Sequence, residues 1–163
     1  MLNEIGRQRV MSVAEAYAPK KVINSMQVGG VQQVMKDISV TLEIAKDVPA
    51  IVGVPGELNQ VWGNLLDNAL DASPAKGQVQ IVACREMDGR LVVKFIDNGP
   101  GIPEHLRKHV FDQFFTTKPI GQGTGLGLDI ARRIVRSHEG AIEFETRPGR
   151  TEFRVVLPPA PTA

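Results

Sequence analysis

The sequence predicts a two-layer α/β sandwich, in which a mixed, mostly antiparallel sheet is covered on one face by helices. Three observations carry that expectation. Two pairs of segments alternate apolar and polar residues around turn chemistry: 79–83 with 91–95 across Asp88-Gly89, and 141–146 with 151–157 across Pro148-Gly149. Two other segments, beginning at Pro55 and Leu128, repeat apolar residues at spacings of three and four. The chain has 163 residues, enough to bury one continuous core without a disulfide or metal staple.

Taken in order, residues 1 to about 17 read as a polar helix that Pro19 interrupts, and Gly29-Gly30 weakens any regular element in the next stretch. Residues 1–38 are therefore read as a linker or partial helix, residues 39–158 as the folded domain and 159–163 as a disordered tail. From Ser39 the period is two, with Val40, Leu42 and Ile44 on one side and Thr41 and Glu43 on the other. Residues 51–54 make a short extended segment. Pro55-Gly56 opens a helix with Leu58, Val61, Trp62, Leu65, Leu66, Ala69 and Leu70 on its apolar face, and Ser73-Pro74 stops it.

The first hairpin comes next, and Asp97 lies where its second strand runs out. Pro103 suits the first turn of a short helix through His109, where a missing N–H costs nothing. After a glycine-rich loop, Leu128, Ile130, Ala131, Ile134 and Val135 mark a helix that Gly140 would close from a left-handed position.

Composition excludes several functions. Hydrophobic residues make up 42% and charged residues 23%, with no apolar run of membrane-spanning length, so no direct membrane insertion is expected. A net charge of +1 supplies no basic field for nucleic acid. Cys84 is the only cysteine, which excludes an internal disulfide framework and a cysteine-based zinc cluster. With no signal-peptide core at the N-terminus, a cytoplasmic location is expected, although the parent protein could be membrane-anchored.

Three constellations carry chemistry. On the helix after Pro55, Glu57, Asn64, Asn68 and Asp71 stand seven, four and three residues apart, which puts them on one face. Asparagine competes for backbone hydrogen bonds in mid-helix, so two of them four apart call for a role, and a neutral oxygen ligand for Mg2+ is one. A solvated face is the plainer alternative. Next, Asp97-Asn98-Gly99-Pro100-Gly101 ends a strand; its glycines permit a sharp turn and close approach to a ligand, and the aspartate can accept from an amino group such as adenine N6. Alone it is also an ordinary Asx turn. Third, Gly121 to Leu128 places glycines at alternate positions ahead of a helix, exposing N–H groups that favour phosphate. It matches neither a Walker A loop nor a dinucleotide fingerprint. Just before it, Phe111, Phe114 and Phe115 are half of the six phenylalanines and lead into Thr116-Thr117-Lys118. They read as lid anchor, core packing, or both.

These segments together resemble the sensor histidine kinases, within the superfamily shared with DNA gyrase, the 90-kilodalton heat-shock chaperone and the mismatch-repair ATPases. The resemblance runs from about Ser39 to Pro158. Residues 60–69 (QVWGNLLDNA) resemble the N box, 97–103 (DNGPGIP) the G1 box, 111–118 the F box and 123–128 the G2 box, while Gly149-Arg150-Thr151-Glu152-Phe153 is similar to the closing hairpin.

The resemblance implies the Bergerat ATP-binding fold and a site for ATP and Mg2+. Asp97 would read the adenine amino group, Gly99 and Gly101 would shape the turn beneath the purine, and Thr151 would assist. Asn68 would coordinate Mg2+ with Asn64 beside it near the phosphates. Thr117, Gly123, Thr124, Gly125, Leu126 and Gly127 would contact the nucleotide, with Lys118 at the terminal phosphate.

Two departures stand out. The superfamily's hydrolases place a glutamate base where this chain has Asn64, which cannot take a proton from water. Many histidine kinases carry a basic residue where this chain has Asp71.

The family implication is a catalytic domain that donates the γ-phosphoryl of ATP to a histidine on a dimerisation and histidine-phosphotransfer domain, with a response regulator downstream. The only histidines are His105, His109 and His138, all within or after the ATP-binding boxes. His138-Glu139 superficially resembles an acceptor dipeptide but reads as a surface or capping histidine at a helix end. The acceptor is therefore expected outside this chain, which reads as an excised domain or a stand-alone protein. The alternatives are a serine kinase of the anti-sigma-factor or dehydrogenase-kinase type and a non-catalytic ATP-sensing module.

Overall fold

The computed structural model describes residues 9–11, 38–116 and 125–161. Strands β2 (Ser39–Ile44), β4 (Gln78–Arg85), β5 (Leu91–Asp97), β7 (Arg150–Leu157) and β6 (Ala141–Arg147) form one five-stranded sheet in that spatial order. Pairing is antiparallel except for β2 with β4, which is parallel. Helices α1 (Pro55–Ala72) and α3 (Gly127–Ser137) pack against each other, and their buried side chains join those of the strands in one core; α2 (Glu104–Arg107) is a single turn. The two-layer expectation holds.

Packing, not capping, orients α1. Val54 at its N-cap gives no side-chain cap, while Leu58, Val61, Trp62, Leu65, Leu66 and Ala69 are buried. A cap would contribute about 1 kcal/mol; each large apolar side chain contributes roughly 1.5–3 kcal/mol on full burial. Trp62 stacks on Phe95 of β5 with ring centroids 6.2 Å apart, which seats the helix over the central strand. Ser73 ends the helix in extended backbone, as a residue before proline must, and its hydroxyl donates back to Ala69 O at 2.7 Å.

On β5 the row Leu91, Val93, Phe95 is fully buried beneath the helices, and Asp97 is the next position in that alternation. The same periodicity that builds the core thus carries a carboxylate to its edge.

Several expectations change. Residues 9–11 are not helical: they form β1 (Arg9–Met11), antiparallel to β3 (Ile51–Gly53). That pairing satisfies the backbone edge of β3, which no local pattern announces; the remainder of the expected helix lies outside the described residues. Val40 and Leu42 pack against the core as read, but Ile44, at the end of an edge strand, is 43% exposed. Pro103 sits one residue before α2 instead of in its first turn, and the helix stops at Arg107.

At the end of α3 the left-handed residue is Glu139, with φ of 60°, and not Gly140. Glu139 N–H donates to Arg136 O and Gly140 N–H to Val135 O, the two bonds of a Schellman motif. Gly140 answers a different demand, because a Cβ there would lie 2.4 Å from the Val156 carbonyl oxygen. Beyond β7, Ala160 N–H donates to Ala50 O at 2.7 Å.

Candidate functional site

Asp97 is 2% exposed. Its Oδ1 accepts from Gly99 N–H at 2.9 Å, closing the turn that leaves β5. Its Oδ2 has neither solvent nor a hydrogen-bond partner, the only carboxylate oxygen so placed among the described residues. Burial pushes the Asp97 carboxyl above its usual range, and the Gly99 N–H opposes that only in part. A buried acceptor of this kind is costly to leave unmatched, and it borders an open cavity of about 540 Å³.

The turn after Asp97 is clamped by the last hairpin. Gly149 N–H donates to Gly99 O at 3.0 Å, and Ile102 N–H donates to Thr146 Oγ1 at 2.9 Å. Gly101 has φ of 85°, and a Cβ there would sit 2.6 Å from the Arg147 carbonyl oxygen, so side chains are excluded by both backbone and space. Gly99 backs onto the end of α1, where a Cβ would meet Ala72 O at 2.3 Å. Register sets Thr151 opposite Asp97, and both line the cavity.

The other wall is α1. Asn64, Asp67, Asn68 and Asp71 all face the cavity. Asn64 donates one Nδ2–H to Gly127 O at 3.0 Å, tying α1 to the first residue of α3 and leaving its carbonyl oxygen and its second N–H for other partners. Asn68 is half-buried on the same wall. Glu57 does not join them. Seven residues at about 1.5 Å rise put it roughly 10 Å back along the helix from Asn64, where it is exposed and its Oε2 lies 3.9 Å from His138 Nε2.

Gly125 and Gly127 also line the cavity. Gly125 has φ of 66° and lies against the Phe114 backbone, which a Cβ would approach to 2.3 Å. Leu126 is the residue before α3. Thr117, Lys118, Gly123 and Thr124 lie outside the described residues. The three phenylalanines divide their roles. Phe111 packs edge-on to Phe144 and Phe153 with the Arg132 guanidinium over its ring, Phe115 lines the cavity, and Phe114 is 68% exposed.

Two polar residues do more than the sequence reading assigned them. His138 is the C-cap of α3, as a capping histidine would be, yet it is buried rather than on the surface. Its Nε2 accepts from Val54 N–H at 3.0 Å while Nδ1 lies 2.8 Å from Ile134 O, which fixes the proton on Nδ1. The ring ties the end of α3 to the start of α1. Thr146 is the second, and pairing the two strands of the predicted last hairpin residue by residue would have set it opposite Thr151.

A family model described as the histidine kinase-, DNA gyrase B- and HSP90-like ATPase matches residues 53–161. The chain belongs to this ATPase family. Within it, the chain is similar to sensor kinases. It is 39% identical over 125 residues to sensory histidine kinase/phosphatase NtrB of Azospirillum brasilense, covering 68% of this chain and 31% of that protein. It is 37% identical over 134 residues to histidine-protein kinase AtoS of Escherichia coli, covering 82% and 21%.

Among solved structures, this ATPase domain resembles mycobacterial sensor histidine kinase MprB (TM-score 0.75, 28% identity, 95% of this chain and 99% of that one). It also resembles full-length ShkA (TM-score 0.77, 25% identity, 96% and 32%). It is a sensor-histidine-kinase ATP-binding domain with their mixed-sheet fold. The chain spans about a third of the length of the first curated relatives it matches. Among the described residues no helix is long and apolar enough to cross a membrane.

Proposed function

We propose that the cavity binds Mg-ATP and that the domain donates the γ-phosphoryl to a histidine on a dimerisation domain outside this chain, with a response regulator as the later acceptor. The observation that carries this reading is Asp97 Oδ2, a buried acceptor with no partner at the rim of a cavity large enough for a nucleotide. An adenine amino group would supply the missing donor, with Thr151 beside it. The relative ShkA was solved in complex with AMPPNP, which supports a nucleotide in the corresponding cavity. Relatives named as histidine kinases favour neither a serine kinase nor a module that only senses ATP.

The donor set on α1 fits Mg2+. Among the described residues no group of three carboxylate, histidine or cysteine side chains could cage a metal, so the ion would take an oxygen from Asn68 and complete its shell with phosphate oxygens and water. When bound, Mg2+ neutralises charge on the phosphates. That contribution matters here because Asp67 and Asp71 add negative charge to the same wall. Asn64, with its amide N–H engaged by Gly127 O, cannot serve as a base for water, in keeping with transfer to an imidazole instead of hydrolysis. In that transfer the bond from the γ-phosphorus to the bridging oxygen breaks, a P–N bond forms, the imidazole gives up its proton and ADP leaves. Thr117, Lys118, Gly123, Thr124, Gly125, Leu126 and Gly127 are assigned to the phosphates.

The test is to mix the chain with labelled ATP, Mg2+ and the two-helix acceptor fragment of its parent kinase. Acid-labile, base-stable label on the fragment's histidine is expected. Binding of ATP without such transfer would remove the kinase assignment.

A further inference from the structure

Asn98 lies between Asp97 and Gly99, is exposed, and does not line the cavity. Its side chain nonetheless completes the ladder from which the turn departs. The register of β4 and β5 ends with Val79 opposite Asp97, so one more step sets Gln78 against Asn98. Half of that rung forms in the ordinary way, with Asn98 N–H donating to Gln78 O at 3.3 Å. The other half does not use the main-chain carbonyl of Asn98. Gln78 N–H donates instead to Asn98 Oδ1 at 2.8 Å.

A side-chain carbonyl thus takes the place of a backbone carbonyl at the last rung. That exchange lets the chain leave β5 straight into the turn without leaving Gln78 N–H unpaired. The approach is close on the β4 side. Gly77 N–H closes onto Pro74 O at 2.9 Å, and a Cβ at Gly77 would lie 3.0 Å from Asn98 Oδ1. Pro74 comes two residues after the end of α1, so Asn98 joins the turn to the short loop that descends from the helix carrying Asn64 and Asn68.

We infer that Asn98 is a positioning residue that locks the turn from Asp97 to Gly101 onto the start of β4 and so fixes its separation from α1. The turn and α1 are the walls assigned to the base and to the phosphates. A nucleotide spans both, so an error in their separation costs affinity even when every group that touches the ligand is intact. The inference rests on the reading of the cavity as an ATP site and adds to it a residue that stands outside the cavity. The bond needs an acceptor on the atom after Cβ, which asparagine and aspartate both supply.

The test is calorimetric titration of the full chain with Mg-ATP, carried out well below the Tm of each variant so that only folded molecules are read. Asn98→Ala should raise the Kd about three- to tenfold, the effect of one neutral hydrogen bond. Asn98→Asp keeps an acceptor at the same reach and should stay within about twofold of the parent. Gln78→Pro removes the donor from the opposite side, at the first residue of a strand where proline is tolerated, and should raise the Kd by a similar factor. In that background Asn98→Ala should add less than about twofold.

Equal losses of affinity in the aspartate and alanine variants would overturn the inference. A lowered Tm with an unchanged Kd in Asn98→Ala would do the same, because the bond would then serve stability alone. So would an alanine effect as large in the proline background as in the parent; if the proline variant does not fold, the alanine and aspartate variants decide between them. Absence of ATP binding by the parent chain would instead overturn the functional reading beneath it.

Discussion

Replacing Asp97 by asparagine exchanges one oxygen for an amide nitrogen and leaves the volume almost unchanged. The direction of the new side chain is set by the existing bond, because Gly99 N–H at 2.9 Å requires an oxygen at the Oδ1 position. The amide nitrogen therefore occupies the place of Oδ2 and presents a donor to the adenine amino group, also a donor. Loss of a hydrogen bond to a charged acceptor costs about 1.5–3 kcal/mol, so the ATP Kd should rise roughly 10- to 150-fold. ITP, with an acceptor at the same place, should lose far less.

The same variant tests the burial of the carboxylate. Because the Asp97 carboxyl is raised from 3.8 by desolvation, the folded state holds more protons than the unfolded state between 3.8 and its folded value. Stability of the parent chain therefore falls as pH rises through that window and stays lowered above it. Asparagine has no such titration, so the Tm of Asp97→Asn minus that of the parent should increase as pH rises from about 3.5 towards neutrality. Calorimetric titration and scanning calorimetry without nucleotide read the two effects separately. An ATP Kd within twofold of the parent would refute the adenine assignment, and a Tm difference independent of pH would refute the burial argument.

Three other substitutions probe the surroundings. Asn68→Ala should abolish the tightening of ATP binding by Mg2+ in calorimetry while leaving metal-free ATP binding near that of the parent. Glu139→Gly relieves a left-handed backbone that disfavours a side chain, offset in part by greater unfolded-chain freedom, and should stabilise the domain by about 1 kcal/mol in urea unfolding. His138→Leu leaves Val54 N–H without its acceptor and should destabilise by about 1–3 kcal/mol on the same assay.

Periodicity made part of the fold and site legible in the sequence. Leu91, Val93 and Phe95 alternate because one face of β5 is covered, and extending that beat by one step reaches Asp97. The apolar face of α1 likewise oriented Asn64 and Asn68 towards one cavity. Glu57 shared their face but not their height along the axis, a distinction that angular spacing ignores. β1 was invisible because its only support is a three-residue ladder to a segment some forty residues away. Gly140 misled because glycine serves two needs, left-handed backbone and close approach, and here it meets the second while Glu139 carries the first. The bonds that His138 and Thr146 accept from Val54 and Ile102 gave no local signal, since a polar side chain bridging two distant elements is defined by tertiary contact.

The clamp between the turn after β5 and the last hairpin joins Gly99 to Gly149 and Ile102 to Thr146, pairs more than forty residues apart. During synthesis the first turn emerges well before the second, so an unfinished chain holds Asp97 without the hairpin that shapes its surroundings. Contacts this distant are also the ones whose loop closure comes late in folding. Nucleotide would then be captured only by chains in which the final two strands have docked. Ligand linkage would stabilise finished domains over truncated or partly folded ones.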